Sequence, residues 1–226
     1  MKQLFAAAAL MLAALATPAA ADPSVEAVRS HAARIGPVAF ERTADITDRG
    51  GKTVRRVDRF TPEGRDGRGN WVLVSIDGRP PTDRERRDHA REVGSIPAPG
   101  YWRLETLLSG PFTTARDGAG QTVYRFQPLA RGSIQTQRGD ISQNLAAEAR
   151  IETVGGQPVV RSIRIFAPEP FGMMGVARMN RFDSRNDYDP RANGGPFLSA
   201  QSSDVEVRAP IVGTVTNATR MTYRPL

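Results

Sequence analysis

The chain has 226 residues, no Cys, 31 Lys and Arg against 24 Asp and Glu, and 39% hydrophobic residues. The lack of Cys excludes disulfides, thiolate metal sites, a Cys nucleophile and a lipidated N-terminal Cys. The apolar and charged fractions are those of a folded chain, neither disordered nor embedded in a membrane. Arg supplies every basic residue except Lys2 and Lys52, and it is mixed with acids, as in Arg84-Glu85-Arg86-Arg87-Asp88. No dense basic run is present, so no nucleic-acid partner is expected. The excess of cations leaves an anionic membrane surface as a candidate for transient contact.

Residues 1–21 combine a basic start at Lys2, an uncharged apolar run from Phe5 to Leu15, and a small-residue site at Ala19-Ala20-Ala21. This is the pattern of a secretory signal peptide, with an apolar run too short for a transmembrane helix. The expectation is export to the periplasm, with residues 22–226 as one domain that carries no lipid anchor and is monomeric.

Asp22-Pro23 opens a short helix in which Val25, Val28, Ala32 and Ile35 form one apolar stripe, and Gly36-Pro37 ends it. His31 lies off that stripe and reads as a surface residue. Two strand-like runs, Val38–Thr47 and Thr53–Thr61, flank the turn Asp48-Arg49-Gly50-Gly51. A further strand runs from Trp71 to Ile76. Thr82-Asp83-Arg84-Glu85 is a capping box that starts a helix of about 11 residues ending at Gly94. Its apolar face is thin, little more than Ala90 and Val93, so an exposed helix is expected, with Glu85 and His89 as an i,i+4 surface pair. Tyr101, Leu104 and Leu108 follow helical spacing and predict a short buried helix.

Beyond Gly110-Pro111 the chain reads as mostly β. A strand covers Thr122–Leu129. Leu145, Ala147, Ala149, Ile151 and Thr153 alternate with Ala146, Glu148, Arg150 and Glu152, the pattern of a half-buried strand. Gly155-Gly156 turns it into Val159, Arg161, Ile163 and Ile165, with Phe166 facing the other way. Phe171–Phe182 is rich in Met and Phe, Asp183–Pro196 reads as a polar loop, and Val205–Ala209 and Ile211–Tyr223 supply the last strands. The sum is an α+β chain: a single curved antiparallel sheet of about ten strands, curled by accumulated twist into an incomplete, half-open barrel, with a few short helices packed against or capping it.

The Trp71-led strand running into Asp77-Gly78-Arg79-Pro80-Pro81-Thr82, the helix after it, the early helix, and Pro168-Glu169-Pro170-Phe171-Gly172-Met173-Met174 together resemble the LolA/LolB-like family. That family is typified by the periplasmic carrier and the outer-membrane receptor for lipoproteins. The resemblance implies a half-open barrel whose concave side is capped by helices and holds acyl chains in an apolar cavity. It gives no single residue a role.

The residues are compatible with such a cavity. Met173, Met174 and Met179, near Phe171 and Phe182, are unbranched and polarizable, as a wall for a flexible chain must be. Trp71, Trp102, Tyr124, Phe126 and Phe166 add aromatic surface, and Leu104, Leu108, Ile163 and Ile165 complete the apolar candidates. The competing reading is that the same side chains fill an ordinary core. No Gly-x-Ser-x-Gly elbow, His-Glu-x-x-His pair or phosphate-cradling loop is present, and the two His residues lie on different polar helices, so no catalytic set is expected. Asp183, Asp187 and Asp189 cluster without EF-hand spacing, and no metal or cofactor is expected. The expected function is therefore a non-catalytic carrier of a lipid or lipoprotein acyl chain, with a ligand-free envelope interaction module as the alternative.

Overall fold

The computed structural model describes residues 22–94, 96–136, 139–173, 177–190, 195–210 and 213–226. The signal-peptide segment and Met174 lie outside them. Among the described residues no helix is long and apolar enough to cross a membrane.

Helix α1 (Pro23–Ile35) starts as its sequence dictates: the Asp22 side chain accepts from the Ser24 amide at 2.8 Å, Pro23 occupies the first turn, and Val25, Val28 and Ala32 are buried. A three-stranded meander follows, β1 (Phe40–Thr47), β2 (Thr53–Pro62) and β3 (Gly69–Ile76). Helix α2 (Asp83–Val93) comes next. A 3-10 turn (Tyr101–Arg103) then leads into the single-turn helix α3 (Leu104–Leu107). The remaining strands are β4 (Phe112–Arg116), β5 (Thr122–Phe126), β6 (Gln135–Thr136), β7 (Gly139–Asp140), β8 (Ala146–Val154), β9 (Gln157–Phe166), β10 (Phe171–Met173), β11 (Ala177–Asp189), β12 (Phe197–Ala209) and β13 (Gly213–Pro225). The β8–β9 turn is at Gly155-Gly156, with φ of 59° and 82°, the left-handed pair that a type I′ hairpin requires.

Apart from the small β6–β7 ribbon, the strands form one antiparallel sheet of 11, in the order β3-β2-β1-β13-β12-β11-β9-β8-β5-β4, with β10 on β11. The last strand thus joins the N-terminal meander to the rest, since β13 pairs with both β1 and β12. The sheet is curved and not closed, β3 and β4 being its free edges. Bulges at Val57/Asp58, Arg150/Ile151, Met179/Arg181 and Asp187/Tyr188 add local twist. Register divides the residues between two faces. Phe40, Arg42, Ala44 and Ile46 of β1 share the inner face with Phe60, Asp58, Arg56 and Val54 of β2, and Glu41 and Asp45 share the outer face with Arg59 and Arg55.

Most expected elements form within a residue or two of their expected ends. Two differences matter. Asp183–Asp189 is no loop but the second half of β11, and β12 begins at Phe197, ahead of Val205. Both stretches alternate, but with polar residues on each face: Ser184 and Asn186 pair inward with Ile165 and Ile163, while Asp183, Arg185 and Asp187 point out. A hydrophobicity pattern cannot show such a strand. β4, with only Phe112 partly buried, was hidden for the same reason, and the strand from Thr122 stops at Phe126.

Candidate functional site

The inner face is filled in one half. α1 and α3 pack on each other, and α1 lies over β9. Leu104, Leu108, Phe126 and Ile163 are 1% exposed or less, and Tyr124 and Ile165 join the same core. The Tyr101 hydroxyl accepts from the Val160 amide at 3.2 Å. Between the early helix, Tyr101, Trp102 and Phe197 lies a slot of about 10 Å³, room for a single water at most, which needs about 10–15 Å³. Trp102 packs over Gly67, where a Cβ would lie 2.3 Å from the indole. Six of the cavity candidates, Leu104, Leu108, Tyr124, Phe126, Ile163 and Ile165, are therefore core, and Phe166 lies on the outer face beneath the Arg164 and Arg125 guanidinium groups.

The other half differs. Between α2, the loop Ile96–Pro99 and the inner face of β1, β2, β3 and β13 lies a pocket of about 170 Å³. Its walls are Ala44, Ile46, Trp71, Val93, Ile96, Pro97, Pro99 and Met221, and its back is charged. There Asp58, 1% exposed, takes a two-point contact from Arg42, Nε to Oδ1 at 3.0 Å and Nη2 to Oδ2 at 2.7 Å. His89 Nε2 lies 3.1 Å from Asp58 Oδ2. Burial alone would push the Asp58 carboxyl up, but the His89 hydrogen bond and the Arg42 charge outweigh it and hold it below the usual carboxylate range. An ionised carboxylate only accepts, so His89 Nε2 is the donor. Trp71 roofs the cluster, with Arg42 Cζ 4.6 Å from its ring centroid, and it stacks edge-on to Phe40 and tilted on Phe60.

α2 is largely exposed, as expected, and the correction concerns His89. His89 is the one buried residue of that helix, not a surface partner of Glu85. Glu85 instead closes the capping box with Thr82 and pairs with Arg79 at 2.6 Å. Ala90 is exposed. His31 is half-buried, edge-on to Tyr101 at 6.0 Å. The buried cluster was missed because it joins three distant segments. Its signal was parity: Arg42 and Asp58 occupy the same alternate positions as Phe40, Ala44 and Phe60, where a charge is out of place unless paired.

Further along the inner face, beyond Thr219 and Asn217 of β13, a second apolar group lies at the far ends of β11–β13. Phe182 pairs with Val205, Met179 with Val207, and Phe171 with Met179. Val207 lies opposite Val215. Met179 is buried, Phe171, Met173, Phe182, Val205 and Val207 are half-buried, and Val215 is 36% exposed. The structure thus places Trp71, Phe171, Met173, Met179 and Phe182 on this half, where Trp71, Phe171, Met173 and Phe182 are half-buried against the edge of the core that the other candidates fill.

A wider cleft, about 1010 Å³, lies elsewhere. It is an open polar groove where Arg150 pairs with Asp117 and Arg185 with Asp187. Asp183, a candidate cation ligand, is held by Arg164. Among the described residues no group of three or more His, Asp and Glu is placed to hold a metal ion. Asp58 and His89 have the relation of an orienting acid and a base, but no hydroxyl bonds to His89 among the described residues, and Arg42 occupies both carboxylate oxygens.

The chain matches no family model, no curated protein and no solved structure.

Proposed function

We propose that the protein is an exported, non-catalytic binder of an acyl chain, held on the open half of the inner face. The observation that carries this is the pocket beside Trp71, Ile46 and Met221, with a second apolar group, Phe182, Val205, Val207 and Val215, further along the same face beyond Thr219 and Asn217. At about 170 Å³ the pocket is smaller than the ~300 Å³ at which enclosed small-molecule sites begin. It suits the end of a chain, with the remainder lying along the half-exposed strands. Met173, Met179 and Met221 give the two apolar positions walls that re-pack at little cost. The half-open antiparallel sheet is also the architecture that a LolA/LolB-like relationship implies, and membership of that family is part of the proposal.

The packing of Leu104, Leu108, Phe126 and Ile163 favours a second reading, an envelope interaction module with a filled core and no ligand. Native mass spectrometry on protein purified from its own cell envelope separates the two. A retained lipid or acyl mass, lost on organic extraction, is the expected result. Bare protein that also fails to bind a fluorescent fatty-acyl probe would leave the interaction module as the account.

A further inference from the structure

β11, β12 and β13 are each 13 residues long, and the chemistry of their far ends differs between the two faces. On the outer face Arg178 of β11 lies directly opposite Arg208 of β12. Gly172 stands on the other side of Arg178, and Thr214 on the other side of Arg208, so no carboxylate flanks the pair. One row further in, Arg181 is opposite Glu206, whose carboxylate accepts from Asn180 Nδ2 at 2.9 Å. Among the described residues Arg178, Arg181 and Arg208 have no hydrogen bond or ion pair. Elsewhere on this face several arginines are neutralised, Arg55 on Asp45, Arg59 on Glu41, Arg164 on Asp183 and Arg185 on Asp187, while Arg220 stands alone with no second arginine opposite it.

Like charges directly opposite destabilise a sheet unless an anion stands between them. The adjoining β1–β2 turn adds Arg49, which reaches the Thr214 carbonyl at 3.0 Å, and Lys52. The acids at this end are Asp48, Glu169 and Glu206. Asp48 is occupied by the Gly50 and Lys52 amides. Directly behind the arginines, on the inner face, are Met173, Val207 and the exposed Val215.

We propose that this end of the sheet is a docking surface for an anionic lipid bilayer. An acidic protein could satisfy the guanidinium groups, but it would leave the apolar side of the same strand ends in water. A bilayer interface offers phosphates to Arg178, Arg181 and Arg208 and an apolar layer to Val207 and Val215, within the reach of Arg stems. The surface goes beyond the acyl-binding reading and holds whether or not the inner face carries a chain.

The test is co-sedimentation of the protein with phosphatidylcholine vesicles, with and without phosphatidylglycerol, at low and high salt. Binding only to the anionic vesicles, released by salt, is expected. The double variant Arg178→Glu/Arg208→Glu is expected to bind at least about tenfold more weakly. The equal charge change Arg65→Glu/Arg87→Glu, at exposed positions away from this end, is expected to bind as the wild type does. Should the first pair disturb folding, as seen in its far-UV spectrum, Arg178→Ala serves in its place. Failure of the wild type to bind, equal binding to both vesicle types, or equal loss in the control pair overturns the proposal, the first leaving an acidic protein as the partner. Acyl-probe affinity in vesicle-free solution is read on the same variants. It is expected to be unchanged, so loss of docking and loss of ligand binding are told apart.

Discussion

One sheet makes two different interiors. On β5, β8 and β9 the inner face is apolar throughout, as at Tyr124, Phe126, Ala147, Ala149 and Ile163, and α1 and α3 join it in one buried core. On β1, β2, β3 and β13 the inner face carries Arg42, Arg56 and Asp58 among its apolar residues, and the helix above it, α2, buries only His89. A helix with an apolar stripe can seal a sheet by close packing. One without it can only be pinned at polar points, here His89 on Asp58 and Glu92 on Arg56 at 3.0 Å. The gap beneath it follows from that difference.

The comparison can be broken at its firmest points first. Phe126→Ala in the packed half opens a void where nothing can collapse, and a loss of about 3–5 kcal/mol is expected in denaturant unfolding. Asp58→Ala is expected to cost a similar amount, about 3–5 kcal/mol, because it leaves Arg42 buried without its partner. A loss below about 1 kcal/mol for either variant would mean that the packing or the pairing described is not formed.

Thr82→Ala removes the half of the capping box in which the Thr82 hydroxyl accepts from the Glu85 amide at 3.3 Å, and leaves the Thr82 amide donating to Glu85 at 2.7 Å. A loss of about 1 kcal/mol is expected, with α2 loosened and the packed half unaffected in hydrogen exchange. The same helix gives a pH effect. Arg79 and the Thr82 groups hold the Glu85 carboxyl down to about 2, from 4.5. A depressed carboxyl stabilises fully above its ordinary value, and that share is lost as the pH falls toward about 2. Amide exchange in α2 is therefore expected to rise across that range in the wild type. Glu85→Gln is expected to remove this dependence, and an unchanged profile in the variant would contradict the assignment.

The smallest expected stability change is at the mouth of the open half. Val215→Glu, at a position already 36% exposed, is expected to stay within about 0.5 kcal/mol of the wild type. It places a charge where the acyl chain is proposed to lie, so affinity for a fluorescent acyl probe is expected to fall at least about tenfold. Unchanged affinity would move the ligand off this face.

The packed half was the more legible in the sequence. The stripe Val25, Val28, Ala32 and the alternation through Ala147 and Ala149 state a face and a period, and both appear in the structure. The open half was written in a form that periodicity does not register. β11 carries Ser184 and Asn186 inward, and α2 is charged nearly all round, so neither shows a hydrophobic face. Met179, Phe171 and Phe182 were legible as an apolar group, but the division of the cavity candidates into core and open face depends on the order of strands. That β13 inserts between β1 and β12, bringing Met221 beside Ala44, is a long-range pairing that no local pattern encodes.

Methyl NMR offers the most direct test that the open half is the binding face, because its methionines Met173, Met179 and Met221 and the residue Ile46 report on it, while Ile163 and Ile165 report on the packed half. The protein would be titrated with lauric acid below its micelle concentration. The account predicts saturable shifts at Met221, Ile46 and Met179, with Ile163 and Ile165 unmoved. Shifts confined to Ile163 and Ile165, or none at any methyl, would contradict it.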